Sequence, residues 1–177
     1  MKRILLAALI AGAAGLANAS TVSEAQALAN FKQVVERCTA LFPVTDGIVS
    51  SAPDGKWRKT SRSDLQTSFD VKKTDSLVSP LVGVLKVSYL ALGATAASEA
   101  EAQALMLDAD GPAMRVADVY QFALQDGSWV GLSVDESREL RTRAGRPFEK
   151  LSTIKKEASR LPPQSLDSQC LKSSAGR

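Results

Sequence analysis

Residues 113–134 read AMRVADVYQFALQDGSWVGLSV, and the alternation within them decides the fold class. Met114, Val116, Tyr120, Phe122 and Leu124 fall on alternate positions, the two-residue period of a strand with one buried face. Asp126-Gly127-Ser128 is a tight turn of hairpin type, and Trp129 to Val134 supplies the returning strand.

The same period recurs upstream. Leu65, Thr67, Phe69 and Val71 share one side of a strand, with Gln66, Ser68, Asp70 and Lys72 on the other. The run from Leu81 to Leu92 is apolar on both faces, so it reads as a more central strand, entered through Pro80. Pro53-Asp54-Gly55 marks a turn before these strands. Between them and the hairpin, Ala96 to Leu107 is alanine-rich, and Ser98 with Glu101 predicts a cap for one or two helical turns.

A different period opens the domain. Leu28, Phe31, Val35, Cys38 and Phe42 recur at three- and four-residue steps, one face of a helix. Thr21-Val22-Ser23-Glu24 is a capping box at its start, and Pro43 stops it. Past Glu136, Pro147 stands at a first helical position. Leu151, Ile154, Ala158 and Leu161 then keep helical spacing up to Pro162-Pro163, which predicts a second helix there. Beyond Gln164 the tail is polar apart from Leu166, Cys170 and Leu171.

At the amino end, Lys2 and Arg3 precede an uncharged apolar run from Ile4 to Leu16, followed by Ala17-Asn18-Ala19. That pattern predicts a secretory signal peptide over residues 1–19, cleaved near Ala19-Ser20, and a periplasmic or secreted protein. No later stretch has the roughly 20 apolar residues of a transmembrane helix. In an oxidising compartment, Cys38 and Cys170 form an even pair, which predicts a structural disulfide. Closing so long a loop stabilises a fold by roughly 4–5 kcal/mol in the chain-entropy model. The bond staples the carboxy-terminal segment to the first helix.

Charge is unevenly placed. Residues 20–135 hold ten basic and fourteen acidic side chains, whereas residues 136–177 hold ten basic and five acidic. We therefore divide the chain into the signal peptide, an α+β core over residues 20–135, and a basic carboxy-terminal segment over residues 136–177. The predicted fold is an amino-terminal helix packed on a curved antiparallel sheet of about four strands, with a carboxy-terminal helix or tail.

This order of elements resembles the cystatin-like and NTF2-like α+β domains. Gln125-Asp126-Gly127-Ser128-Trp129-Val130 is similar to the closing hairpin common there, and Asp70 to Pro80 resembles a segment of small exported bacterial proteins of unassigned role. The likeness spans residues 22–135 and implies a fold without implying an activity.

The chain contains no histidine, which removes imidazole bases, Ser-His-Asp and Cys-His sites and the usual zinc ligand sets. No nucleotide-binding glycine loop is present and no cofactor or metal is implied. Asp118 is the one carboxylate on an apolar strand face. With no bulge it shares a side with Met114, Val116, Tyr120 and Phe122, where burial raises its pKa. The NTF2-like resemblance implies a cavity carboxylate of that kind as a catalytic group, in a pocket lined by Tyr89, Tyr120 and Phe122. A bulge, or pairing with Arg115 or another cation, gives a structural role instead.

Arg138, Arg141, Arg143, Arg146, Lys150, Lys155 and Lys156 form the candidate binding set. They read either as a solvated helix whose charges pair along its length or as a docking surface for a protein or an anionic envelope component. Nucleic acid is excluded by the exported address. The expected function is a non-catalytic exported binding or accessory domain. A small-molecule carrier or cavity enzyme using Asp118, or a structural part of an envelope assembly, are the alternatives.

Overall fold

The computed structural model describes residues 22–143 and 145–172. The predicted signal peptide therefore lies outside the described residues. The first element is helix α1 (Glu24–Thr39), and Ser23 caps it by accepting a hydrogen bond from the Gln26 backbone N–H. Strands β1 (Thr45–Ser51), β2 (Trp57–Lys73) and β3 (Leu81–Ala96) follow. A short helix α2 (Glu99–Ala104) then leads to β4 (Ala113–Gln125), β5 (Ser128–Arg141) and β6 (Glu149–Glu157). Helix α3 (Leu166–Lys172) is the last described element. The six strands form one antiparallel meander in the order β1-β2-β3-β4-β5-β6.

The α+β class is as expected, but the sheet has six strands where about four were predicted. The two additional strands are its edges. β1 (TDGIVSS) carries no alternation of apolar and polar residues, and most of it is exposed. β6 occupies the stretch predicted as a helix: residues 149–157 pair with β5, and only a three-residue 3-10 turn, Ala158–Arg160, precedes Pro162. The apolar spacing of Leu151 and Ile154 fits a helix as well as a strand, and both side chains remain about half exposed on this edge. No core called for either geometry, so sheet pairing decided it. The carboxy-terminal helix exists, but at Leu166–Lys172.

Antiparallel register sets which side chains share a face. On the face toward α1, the row Gly83–Phe122 lies beside the row Phe69–Leu85–Tyr120–Val134. Phe31 of α1 sits over these rows, edge-on to Phe69 and Phe122 and 4.6 Å from the Trp129 ring. The Trp129 indole N–H reaches the Ala27 carbonyl at 3.0 Å, so the hairpin both supports and hydrogen-bonds the helix. Gly83 is small because the Phe31 ring already fills the place of a Cβ, which would lie 2.5 Å from it. Beyond the helix, Phe42 packs on Tyr89 and Tyr120.

Cys38 and Cys170 are bonded, with Cα atoms 4.5 Å apart, and both are fully buried. The bond joins α1 to α3, which packs against β5. Among the described residues, no helix is long and apolar enough to cross a membrane.

Gly93 lies on the same face of β3, ten residues along. A Cβ there meets nothing closer than 3.8 Å. Gly83→Ala should therefore lower stability by about 1–3 kcal/mol through overpacking against Phe31. Gly93→Ala should stay within about 1 kcal/mol of the parent. Denaturant midpoints of the two variants check this directly.

Candidate functional site

Moving along the helix face away from the aromatic rows, the register brings charges together. Asp118 on β4 stands opposite Glu136 on β5, with Val87 on its other side and Ile154 beyond Glu136. Two carboxylates facing each other across a ladder repel, and cations from the adjoining rows relieve them. Arg138 donates to Asp118 Oδ1 through one guanidinium nitrogen, while its other terminal nitrogen lies 3.4 Å from Glu136. Lys156 on β6 donates to Glu136 from the other side. Above them, the Tyr120 hydroxyl donates to Asp167 of α3 at 2.6 Å.

Strand β4 pairs with β3 without a bulge, so Asp118 points inward as its spacing predicts. It is only 2 % exposed. Burial raises its pKa from 3.8 to about 6, even though the hydrogen bond and charge of Arg138 pull the other way. The pair is lopsided. Burial alone would lower the Arg138 pKa, but the hydrogen bond and charge of Asp118, with Glu136, more than reverse that. The guanidinium stays charged while the carboxylate bears the desolvation. Asp167 and Tyr120 are likewise raised, in both cases chiefly by burial.

A raised carboxyl pKa suits a general base, and here the carboxylate also has a fixed cation partner. Its Oδ1 is held by Arg138, and two of the three side chains predicted to line a pocket are packed into the core. Tyr120 and Phe122 are wholly buried beneath Phe42 and Phe31, while Tyr89 is half-buried, touches Phe42 and the Arg62 guanidinium, and borders an open cleft. Among the described residues, no group of three His, Cys, Asp or Glu side chains is placed to hold a metal.

The seven basic residues singled out in the sequence do not form one patch. Arg138 and Lys156 belong to the part-buried network on the helix face. Arg141, Lys150 and Lys155 lie on strand positions facing the other way. There the Phe148 ring takes the Arg115 guanidinium at 4.1 Å and that of Arg141 at 5.2 Å. Arg141 also donates to the Gly111 and Ala109 carbonyls, and Arg115 to Glu139 at 2.9 Å. A cleft of about 320 Å³ opens beside them, lined also by Asp64, Gln66 and Ser88. Arg143 and Arg146 project from the β5–β6 turn, which closes through the Arg146 N–H to the Arg143 carbonyl at 3.3 Å. Arg143, Arg146 and Lys150 are exposed and take part in no ion pair among the described residues.

Comparison with known proteins gives no match to a family model, to a curated protein or to a solved structure.

Glu136, Asp167 and Phe148 were not singled out from the sequence. Glu136 becomes visible once β5 is carried past Val134, because the hairpin register then sets it opposite Asp118. Asp167 carries no such signal, since only the fold of α3 over β5 brings it to Tyr120.

The raised carboxyl makes a pH prediction. Asp118 binds its proton more tightly in the folded chain, so its contribution is fully present below about pH 4 and is lost as pH rises through about 6. At ~1.4 kcal/mol per pH unit the loss amounts to at most ~3 kcal/mol. The stability of the parent relative to Asp118→Asn should fall by that order between pH 4 and pH 7. Denaturant unfolding of both proteins across this range checks it, and parallel curves would contradict it.

Proposed function

We propose that this protein is a non-catalytic exported binding domain, whose cationic end docks on an acidic macromolecule of the cell envelope. The observation that carries the reading is the crowding of Arg115, Arg141, Arg143, Arg146 and Lys150 around Phe148 and the β5–β6 turn, with the last three cations free of ion pairs among the described residues. Exposed unpaired cations beside an arginine-capped aromatic ring offer a partner both charge and a flat apolar contact. Arg141, tied to two carbonyls, is held in place before any partner arrives, which lowers the ordering cost of binding.

The Cys38–Cys170 bond supports the exported address, because such bonds persist in oxidising compartments. The helix laid on an antiparallel sheet supports the cystatin-like or NTF2-like resemblance. The Asp118–Arg138 pair and the filled aromatic rows favour binding over carboxylate catalysis.

Reversing Arg143, Arg146 and Lys150 to glutamate should leave the fold intact, since all three are exposed, and should weaken capture of the envelope partner about tenfold or more. Capture by the parent should fall steeply as salt rises from low to physiological strength. Retention measured on envelope extract across a salt series reads both effects. Equal retention of parent and variant, or a flat salt response, would remove this surface from the account.

A further inference from the structure

The helix face of the sheet is only half covered. α1, α3 and Phe42 lie over the rows from Leu81 to Tyr89, but the rows beyond carry no element of the described chain on that side. By register, Arg62, Ala91, Met114 and Leu140 form one cross-strand row, and Thr60 and Gly93 form the next, followed by Arg58 and Thr95. Helix α2 does not cover them. It is tied to Lys59, whose Nζ donates to the Gln103 and Leu105 carbonyls, and Lys59 points to the opposite side from its neighbours Arg58 and Thr60.

The floor of this open half has an unusual composition. Ala91 and Gly93 keep it low, while Met114, Leu140 and Pro112 wall it, leaving a trough of about 440 Å³. The contrast between two glycines of one strand face is informative. At Gly83 the missing Cβ makes room for the Phe31 ring. At Gly93 only the Lys59 carbonyl oxygen and the Thr60 methyl of the neighbouring strand come near that place, both at 3.8 Å.

One wall is cationic. Arg58 lines the trough, while Arg62, on the same face of β2 about 13 Å away at four strand residues, lies outside that lining, and neither makes an ion pair among the described residues. The Arg62 guanidinium rests 5.5 Å above the Tyr89 ring, at the boundary with the covered half. Arg138, the next cation inward, is already committed to Asp118 and Glu136.

We propose that this trough binds a long-chain fatty acid, the acyl chain lying over Ala91 and Gly93 against Met114 and Leu140, and the carboxylate meeting Arg58. An apolar floor of small residues accepts a methylene chain lengthwise, and an unpaired guanidinium is the natural partner of a carboxylate. A neutral chain lacks the second contact, and a cationic amphiphile meets repulsion. This site lies on the opposite face of the sheet from the Arg141–Phe148 cleft, and it stands whether or not that cleft docks a macromolecule.

The test is fluorescence titration of the full folded chain with a dansyl-labelled fatty acid, displaced by unlabelled palmitate. Saturable binding that palmitate displaces, and hexadecyltrimethylammonium does not, is expected. Gly93→Leu fills the trough and should weaken binding about tenfold or more, while Arg58→Glu with Arg62→Glu should weaken the fatty acid by a similar factor and leave palmityl alcohol unchanged. The double arginine variant alters exposed or half-exposed side chains only, so it keeps the test decisive if Gly93→Leu fails to fold. Absence of saturable binding, or equal affinity in the parent and the arginine variant, overturns the proposal. So does sedimentation showing that a second copy of the chain occupies the trough and excludes the fatty acid.

Discussion

The seat of the Phe31 ring on Gly83 is the contact on which the rest of this structure depends. A ring brought within touching distance of a strand backbone needs a residue without a side chain beneath it, and β3 provides one at that row alone under α1. Once Phe31 is seated, Phe69, Phe122 and Trp129 close around it, and the Trp129 N–H fixes the helix through the Ala27 carbonyl. The disulfide then draws α3 onto the same end, so that helix, hairpin and carboxy-terminal segment share one core.

That concentration has a consequence for the remainder of the sheet. One sixteen-residue helix and a short terminal one do not reach across strands of sixteen and seventeen residues. Just inside the boundary the side chains turn from aromatic to charged. Asp118 and Glu136 would repel each other there, and Arg138 and Lys156 convert the repulsion into a part-buried network of ion pairs. Buried ion pairs of this kind contribute little net stability but penalise any register that separates them. In this sheet a one-residue slip of β5 would leave Asp118 buried without its cation.

The hairpin of residues 113–134 and the first helix were legible because each buries a single face, and burial on one face imposes a period on the sequence. The edge strands were not. β6 leaves Leu151 and Ile154 about half exposed, so nothing selected a two-residue period over a helical one, and β1 has too few apolar residues to show any period. The inward aim of Asp118 was readable from spacing, whereas its partner was not. Arg138 belongs to a basic run in the sequence, and only the hairpin register separates it from Arg141, Arg143 and Arg146. The open rows of Ala91 and Gly93 gave no signal, since small residues look alike whether a ring or solvent lies above them.

Hydroxyl-radical footprinting tests the half-covered sheet most directly, because it reads both halves in one experiment. Met106 is 93 % exposed and sets the scale for a freely reacting side chain. The account predicts that Met114, on the open rows, is oxidised in the folded protein at a rate between that of Met106 and the core, while Trp129, Tyr120 and Phe122 stay protected until the chain unfolds. Protection of Met114 equal to that of Trp129 would mean that something covers the open rows, and rapid oxidation of Trp129 would mean that α1 is not seated. Either result would contradict the account.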